Sequence, residues 1–202
     1  MTKNYFEPFG GGVFASGRKT ITGGAIEFSI KLENNLAPLF EKAGAKSLYA
    51  LGKAIDEVGS KTKTQVTRAV AKQAGVKYGA ARGVIVSRQA LGRGQGEYKI
   101  IAHDVTLSLK EFSPKQTAKG VSAAPWGKRS VFPHTFIGPN GHVFAREMVG
   151  NQRAGRLPIS KLFGPAIPKE LVKGETEATF YRVSAKLFDQ AVEKWLTRVL
   201  EK

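Results

Sequence analysis

The sequence contains no cysteine, few acidic residues and no long apolar run. Without cysteine there can be no disulfide framework, no thiolate nucleophile and no cysteine-ligated zinc. No stretch approaches the roughly 20 apolar residues of a membrane span, and the opening residues lack the apolar core of a signal peptide. We therefore expect a soluble product of the cytoplasm that does not bind membranes.

Acidic residues are scarce relative to basic ones. Lysine and arginine total 32 against 16 acids, which gives a net charge of +16. Solubility alone requires much less charge than this, so the surplus predicts a polyanion or an acidic protein surface as partner. Double-stranded DNA, bound without sequence specificity, is the polyanion we expect.

The length of 202 residues suffices for one hydrophobic core, whereas two full domains would be small. Residues 1–24 are rich in glycine, which predicts an extended arm, and residues 25–202 are predicted to form a single α+β domain. Phe6, Phe9 and Phe14 are candidate apolar anchors of the arm at a subunit interface. The alternative is a disordered terminus.

Apolar residues at steps of three and four predict one long amphipathic helix over residues 36–74. Glycine lowers helix stability by roughly 1 kcal/mol relative to alanine, and a bend is expected near Gly59. A shorter helix is predicted over 77–90, and a closing helix over 179–200. In the closing helix, the predicted apolar stripe consists of Phe180, Val183, Leu187, Ala191, Trp195 and Val199.

The pattern changes to period two over residues 97–112, where Ile101, Val105, Leu107 and Leu109 share one phase, and this predicts a half-buried strand. "SPKQ" at 113–116 is typical of a turn, and "TAKGVSAA" after it of a second strand. "SVFPHTFI" and "HVFAREMV" predict a hairpin around residues 138–141. Residues 156–171 are rich in proline and are predicted to be neither helix nor strand for most of their length. The fold class is therefore α+β, with a long N-terminal helix and a C-terminal helix packed on an antiparallel sheet.

Basic residues concentrate in two places. Arg82, Arg88 and Arg93 lie on the short helix and its exit, and Lys110, Lys115, Lys119, Lys128 and Arg129 lie on the sheet and its turns. Such donors suffice for phosphate binding that is independent of base sequence and weakened by salt. The alternative is a solvated face without a partner.

The sequence offers little for catalysis. His134, Asn140 and His142 suggest an HNH nuclease, but pairing Ile137 with His142 across the hairpin places the two histidines on opposite faces. Paired carboxylates, nucleophile motifs and metal-spaced histidines are also lacking. Trp126, beside Lys128 and Arg129, either covers the end of the sheet or offers a stacking surface for bases. We expect no enzyme activity, no metal and no cofactor.

Four segments resemble the minor tail protein Z, or tail completion, family of tailed bacteriophages and prophages. They are "LKEFSPKQTAKGVSA" at 109–123, "FPHTFIG" at 132–138, "HVFARE" at 142–147 and "RLPISKLFGPAIPKEL" at 156–171. The resemblance implies a virion protein that completes the head-proximal end of the tail and helps to join it to the head around the DNA channel.

The same resemblance implies a cyclic homo-oligomer, with a hexamer as the expected ring. Its neighbours would be other tail and neck proteins, such as the tail terminator, the tail tube and the head–tail connector. Pro158, Phe163, Pro165 and Pro168 are the candidate subunit interface in the proline-rich segment, since prolines hold a loop in one shape for docking. They could equally form a rigid cover over the sheet edge. The competing function is a free nucleic-acid-binding protein without sequence specificity.

Overall fold

A computed structural model describes residues 15–22, 25–32, 45–92, 95–103, 106–146, 148–149, 152–153 and 158–201. The fold is α+β, as predicted, with helices and antiparallel sheets. The four α-helices of this part of the chain are α1 (Ala45–Ala74), α2 (Tyr78–Val84), α3 (Ile167–Leu171) and α4 (Gly174–Leu200). The two long helices, α1 and α4, pack against each other.

The largest sheet has four strands in the order β1-β2-β4-β3, and all its neighbours are antiparallel. Its strands are β1 (Ala15–Thr22), β2 (Ala25–Leu32), β3 (Ile85–Gly92) and β4 (Gln95–Ala102). Helix α1 packs on this sheet. The predicted boundary at residue 24 thus falls between two paired strands, and residues 1–14 of the predicted arm lie outside the described residues.

The remaining strands form small antiparallel sheets, ordered β6-β7-β8, β13-β10-β9, β14-β5 and β11-β12. They are β5 (Thr106–Ser108), β6 (Lys115–Thr117), β7 (Gly120–Ala123), β8 (Ser130–Pro133), β9 (Thr135–Ile137), β10 (Val143–Arg146), β11 (Met148–Val149), β12 (Gln152–Arg153), β13 (Ile159–Lys161) and β14 (Phe163–Ala166). Two short 3-10 helices, Leu109–Phe112 and Pro125–Gly127, connect them. The predicted hairpin around residues 138–141 is confirmed as β9 and β10, but residues 130–133 of its expected first strand form β8 and pair with β7 instead.

One core joins the helices to the sheets. Helix α1 contributes Ile55, Val58, Val66 and Val70, α4 contributes Phe180 and Phe188, and β4 contributes Tyr98 and Ile100. Phe112 of the first 3-10 helix and Val121 of β7 complete this set. In α4 the buried side chains also include Ser184, Ala191 and Val192, while Val183, Leu187, Trp195 and Val199 are only partly buried. The predicted stripe of α4 therefore has the correct period, but it lies slightly to the solvent side of the face that the helix buries.

Helix α1 runs without interruption through Gly59. A Cβ at this position would lie 2.2 Å from Cγ of Tyr98, so the glycine lets the ring of β4 approach the helix backbone. The bend expected near Gly59 stays a prediction, and what the structure shows at this glycine is the close packing of Tyr98.

The second predicted helix was wrong in its second half. Helix α2 ends at Val84, and residues 85–92 form β3. The β-branched run Val84, Ile85 and Val86 favours a strand, and β3 pairs with β4 along all eight of its residues.

The strand predicted over 97–112 was also wrong in phase and extent. Tyr98, Ile100 and Ala102 of β4 are buried, whereas Ile101 is only half-buried, because α1 covers the opposite face from the one expected. The segment then divides into β4, β5 and a 3-10 helix. Val105 lies outside the described residues.

Two loops were predicted where the structure has regular elements. Lys115 and Gln116 of the expected "SPKQ" turn belong to β6, which pairs with β7. The proline-rich segment contains β13, β14 and α3. Pro168 fits because the first turn of a helix tolerates a residue without an N–H.

Candidate functional site

The strands and turns of residues 106–146, which we call the basic lobe, carry most of the predicted phosphate-binding residues. The lobe contains one acid, Glu111, against six basic residues: Lys110, Lys115, Lys119, Lys128, Arg129 and Arg146. Lys115, Lys119 and Lys128 are exposed, and none of the three forms an ion pair with another described residue. Their charge is therefore available to a partner.

Arg129 differs from these lysines because its guanidinium is held by the lobe itself. Nη1 donates to the carbonyl and to Oγ of Ser122, at 3.2 and 3.3 Å, and Nη2 donates to the Ser113 carbonyl at 3.3 Å. Ser113 has a left-handed backbone with φ of 51°. Arg129 thus ties β7 to the exit of a 3-10 helix as well as adding surface charge.

Arg82 and Arg88 belong to a different part of the fold, on α2 and β3, and both are exposed. Lys63 of α1 lies near Arg82, and its Nζ lies 3.2 Å from Oγ of Ser87. Partial burial lowers the pKa of Lys63, and the nearby Arg82 lowers it further. Arg93 lies outside the described residues. The two described members of the first predicted cationic group, Arg82 and Arg88, thus belong to elements outside the basic lobe.

Acidic residues of the described chain that form ion pairs lie outside the basic lobe. Glu57 pairs with Lys61 and Lys194. The other pairs are Lys99 with Glu97, Lys173 with Glu170 and Arg182 with Glu175. Helix α4 carries as many acidic as basic residues, whereas α1 and the basic lobe each carry a surplus of basic ones, and the single acid of the lobe forms no ion pair with a described residue.

The predicted interface residues divide into exposed and buried sets. Pro158 and Phe163 are exposed, and Lys161 Nζ lies 5.4 Å from the centroid of the Phe163 ring. Pro165 of β14 and Pro168 of α3 are buried in the single chain, and their part in a subunit interface stays a prediction. Phe6, Phe9 and Phe14 lie outside the described residues.

Trp126 is 57% exposed, which corrects the interpretation that its ring covers the sheet end. Its backbone is left-handed, with φ of 54°, and its indole Nε1 donates to Oε1 of Glu170 at 3.1 Å. Burial alone would raise the pKa of Glu170, but hydrogen bonds from Lys173, Gln73 and Trp126 outweigh it and leave that pKa below its usual value. An ionised carboxylate therefore holds the exposed indole in one orientation.

The two hairpin histidines have separate surroundings. His142 Nδ1 lies 2.9 Å from Oγ of Ser108, and partial burial, with Lys161 and Lys110 nearby, lowers the pKa of His142. The expected register was wrong by one residue, because Ile137 pairs with Val143. The argument that the two histidines lie on opposite faces of the hairpin therefore no longer holds. His134 also lies outside strand β9, with a left-handed φ of 60°.

No group of three or more metal-ligating side chains occurs among the described residues. In the same part of the chain, no helix is long and apolar enough to cross a membrane.

Sequence reasoning missed Arg146 as a member of the basic surface. Its guanidinium lies 5.4 Å from the centroid of the Phe136 ring. Phe136 pairs with Phe144, so Arg146, two residues further on, is its diagonal neighbour. The sequence contains both residues, but their contact could be predicted only from the correct register of the hairpin.

No protein-family model, curated protein or solved structure matches this chain. The resemblance to the tail completion family therefore stays a prediction.

Proposed function

We propose that the protein is a structural component of a phage neck or tail, which completes the head-proximal end of the tail around the DNA channel. The four segments that resemble the tail completion family support this function. The protein acts as a scaffold that holds position beside DNA and neighbouring subunits, without catalysis.

The observation that carries the proposal is the uncompensated charge of the basic lobe. Exposed lysines without ion-pair partners attract phosphates at a distance and need not read bases. Lys115, Lys119 and Lys128 meet this description within the described chain. In a ring of subunits, the basic lobe would hold these charges at a fixed distance from the ring axis, because the lobe packs on the hydrophobic core.

The proposed ring places a second surface against the neighbouring subunit or a tail or neck protein. Pro158, Ile159 and Phe163 are exposed on or beside β13 and β14, and β13 is the edge of its sheet. A ring requires one patch to meet a different patch on the next copy. These residues are one patch of the proposed heterologous contact.

Light scattering coupled to gel filtration tests the assembly directly. We expect the isolated chain, or the chain with tail components, to form a closed oligomer that persists without DNA and at high salt. Imaging of particles should then find several copies at the head-proximal end of the tail. A single copy per particle, or none, would overturn the proposal.

The second candidate is a free nucleic-acid-binding protein, which the exposed and oriented ring of Trp126 favours. Base stacking uses an exposed aromatic near cations, as Trp126 is near Lys128 in the chain. This function predicts a monomer that binds single strands and whose affinity falls by at least about tenfold on Trp126→Ala. A stable ring with no loss of DNA affinity in that variant would exclude it.

A further inference from the structure

A shallow cleft of about 140 Å³ lies in the basic lobe, between the turn of β6 and β7 and the strands β9 and β10. Its lining includes Gln116, Lys119, His134, Phe136 and Arg146, and no acidic residue. Lys119, His134 and Arg146 can all donate N–H groups, and none of their side chains forms an ion pair or a side-chain hydrogen bond with another described residue. Three side chains with free nitrogen donors therefore line one depression.

The turn that carries Lys119 is held by hydrogen bonds. Thr117 Oγ1 donates to the Gly120 carbonyl at 2.7 Å, and Gln116 Nε2 donates to the Thr117 and Gly120 carbonyls at 3.2 and 3.4 Å. Gly120 has φ of 142°, and a Cβ there would lie 2.0 Å from the Phe132 carbonyl oxygen. The turn therefore presents Lys119 from a fixed backbone.

The opposite wall is ordered by aromatic packing. The Arg146 guanidinium lies over the Phe136 ring, and Phe136 stacks on Phe144 with centroids 5.9 Å apart. A guanidinium stacked on a ring loses freedom but keeps its N–H groups at the edge for a ligand. The Arg146 guanidinium is thus already oriented in the protein without a ligand.

His134 adds a strained position to this wall. Its φ of 60° is uncommon for a residue with a side chain, and such conformations concentrate at functional sites. The Arg146 N–H donates to the His134 carbonyl at 3.5 Å, so the two residues are also joined through the backbone.

We propose that this cleft binds a phosphate group, with Lys119, His134 and Arg146 as its donors. Arginine recognises phosphate through two parallel N–H groups, and lysine supplies a compact charge. If the protein has the function proposed above, the bound group is a backbone phosphate of DNA. Only this choice of ligand rests on the proposed function. Free phosphate is the other source of the same chemistry.

Nuclear magnetic resonance of the isolated chain tests the site independently of any ring. Inorganic phosphate and a short DNA duplex are titrated separately at constant ionic strength, with chloride as the reference anion. We expect saturable shifts of the Lys119, His134, Phe136 and Arg146 amides with phosphate, and the same shifts with duplex. Shifts with phosphate alone identify a site for free phosphate and overturn the DNA source.

Three variants separate a built site from dispersed charge. Lys119→Ala and Arg146→Lys should each weaken phosphate binding by about tenfold, and Arg146→Lys does so without loss of charge. Lys186→Ala is the matched control, because it removes an exposed lysine of α4 that lies outside both the lobe and the cleft, and it should change the affinity by less than about twofold.

Equal losses in the Lys119→Ala and Lys186→Ala proteins, or no saturable shift with either ligand, would overturn the site. The amide spectrum of each variant reports folding, so a change confined to the cleft residues can be told from a general loss of structure. If the chain forms no ring but still binds phosphate at the cleft, the proposed function is wrong and the phosphate site is retained.

Discussion

The Glu57 carboxylate of α1 accepts a hydrogen bond from the indole Nε1 of Trp195 in α4 at 2.9 Å, between residues 138 apart in the chain. Lys61 and Lys194 donate to the same carboxylate at 2.7 and 2.9 Å. These donors favour the ionised form and lower the pKa of Glu57 to about 2. One carboxylate thus joins the two long helices at the surface end of their interface.

The first prediction concerns acid. The pKa of Glu57 is below its unfolded value of about 4.3, so the carboxylate stabilises the fold above that pH. This contribution is lost as the pH falls toward about 2. We expect Glu57→Gln to lower the free energy of unfolding by about 1–3 kcal/mol at pH 7, and by progressively less in acid.

Urea unfolding between neutral pH and acid measures this difference. Glu175→Gln is the control, because Glu175 pairs with Arg182 while both side chains are well exposed, and it should cost less than about 1 kcal/mol. A difference between Glu57→Gln and the parent protein that stays constant down to the lowest pH would contradict the assignment.

The second prediction concerns the contact of Gly59 with Tyr98. An alanine methyl group at 59 would lie 2.2 Å from the ring, which forces β4 and α1 apart. Overpacking of this kind costs about 1–3 kcal/mol, and it outweighs the roughly 1 kcal/mol by which alanine favours a helix. Gly59→Ala should therefore lower the midpoint of thermal unfolding.

Gly83→Ala in α2 is the matched control, because no atom lies within 4 Å of a Cβ built there. It should leave the stability unchanged or raise it by up to about 1 kcal/mol. If Gly59→Ala is as stable as Gly83→Ala, the close approach of the ring is not a constraint of the fold.

The long helices could be predicted because their periodicity is local. Ile55, Val58, Val66 and Val70 recur on one face whatever they pack against, so the existence of α1 followed from the chain alone. The role of Gly59 could not, since the ring that it admits belongs to a strand about 40 residues away in sequence, a long-range contact.

The strands were harder to predict because pairing partners decide them. Strand β3 contains Arg88 and Gln89 beside its apolar start, and only its pairing with β4 makes it a strand. The cleft depends on the register of β9 and β10, and a shift of one residue reverses which side chains share a face. The basic residues were visible in the sequence, but their convergence was not.

The third prediction concerns Thr62, which is fully buried in α1 and whose Oγ1 has no hydrogen-bond partner among the described residues. An unpaired buried hydroxyl costs about 1–3 kcal/mol, and valine removes it with nearly the same shape. Thr62→Val should therefore be neutral or stabilising. Thr67→Val on the same helix is the matched control, because Thr67 Oγ1 donates to the Lys63 carbonyl at 2.7 Å.

Chemical unfolding of the two valine variants gives the comparison. Thr62→Val should exceed Thr67→Val in stability by about 1 kcal/mol. The reverse order would mean that Thr62 finds a partner in solution, for example a buried water.

The fourth prediction separates the two roles of basic residues in the lobe. Arg129 holds Ser122 and Ser113 through its guanidinium, so Arg129→Ala should lower the free energy of unfolding by about 1–2 kcal/mol. Arg129→Lys should recover little of this loss, because an ammonium cannot span both carbonyls with the same geometry. Stability equal to the parent protein in Arg129→Ala would show that these hydrogen bonds are not needed.

The last prediction concerns the exposed lysines of the lobe, Lys115, Lys119 and Lys128, replaced together by alanine. Exposed substitutions of this kind change stability by about 0.5 kcal/mol or less, so the fold should be retained. Affinity for duplex DNA should fall at low salt, and the slope of log affinity against log salt should decrease by up to about 3, one for each lost phosphate contact. A control in which Lys46, Lys72 and Lys186 on the helices are replaced by alanine removes the same number of exposed charges and tests the effect of net charge alone. If instead these lysines contact an acidic neck protein, the triple variant should fail to join tails to heads in the absence of DNA. Unchanged DNA binding together with normal joining would defeat both versions, because the charge of the lobe would then serve solubility alone.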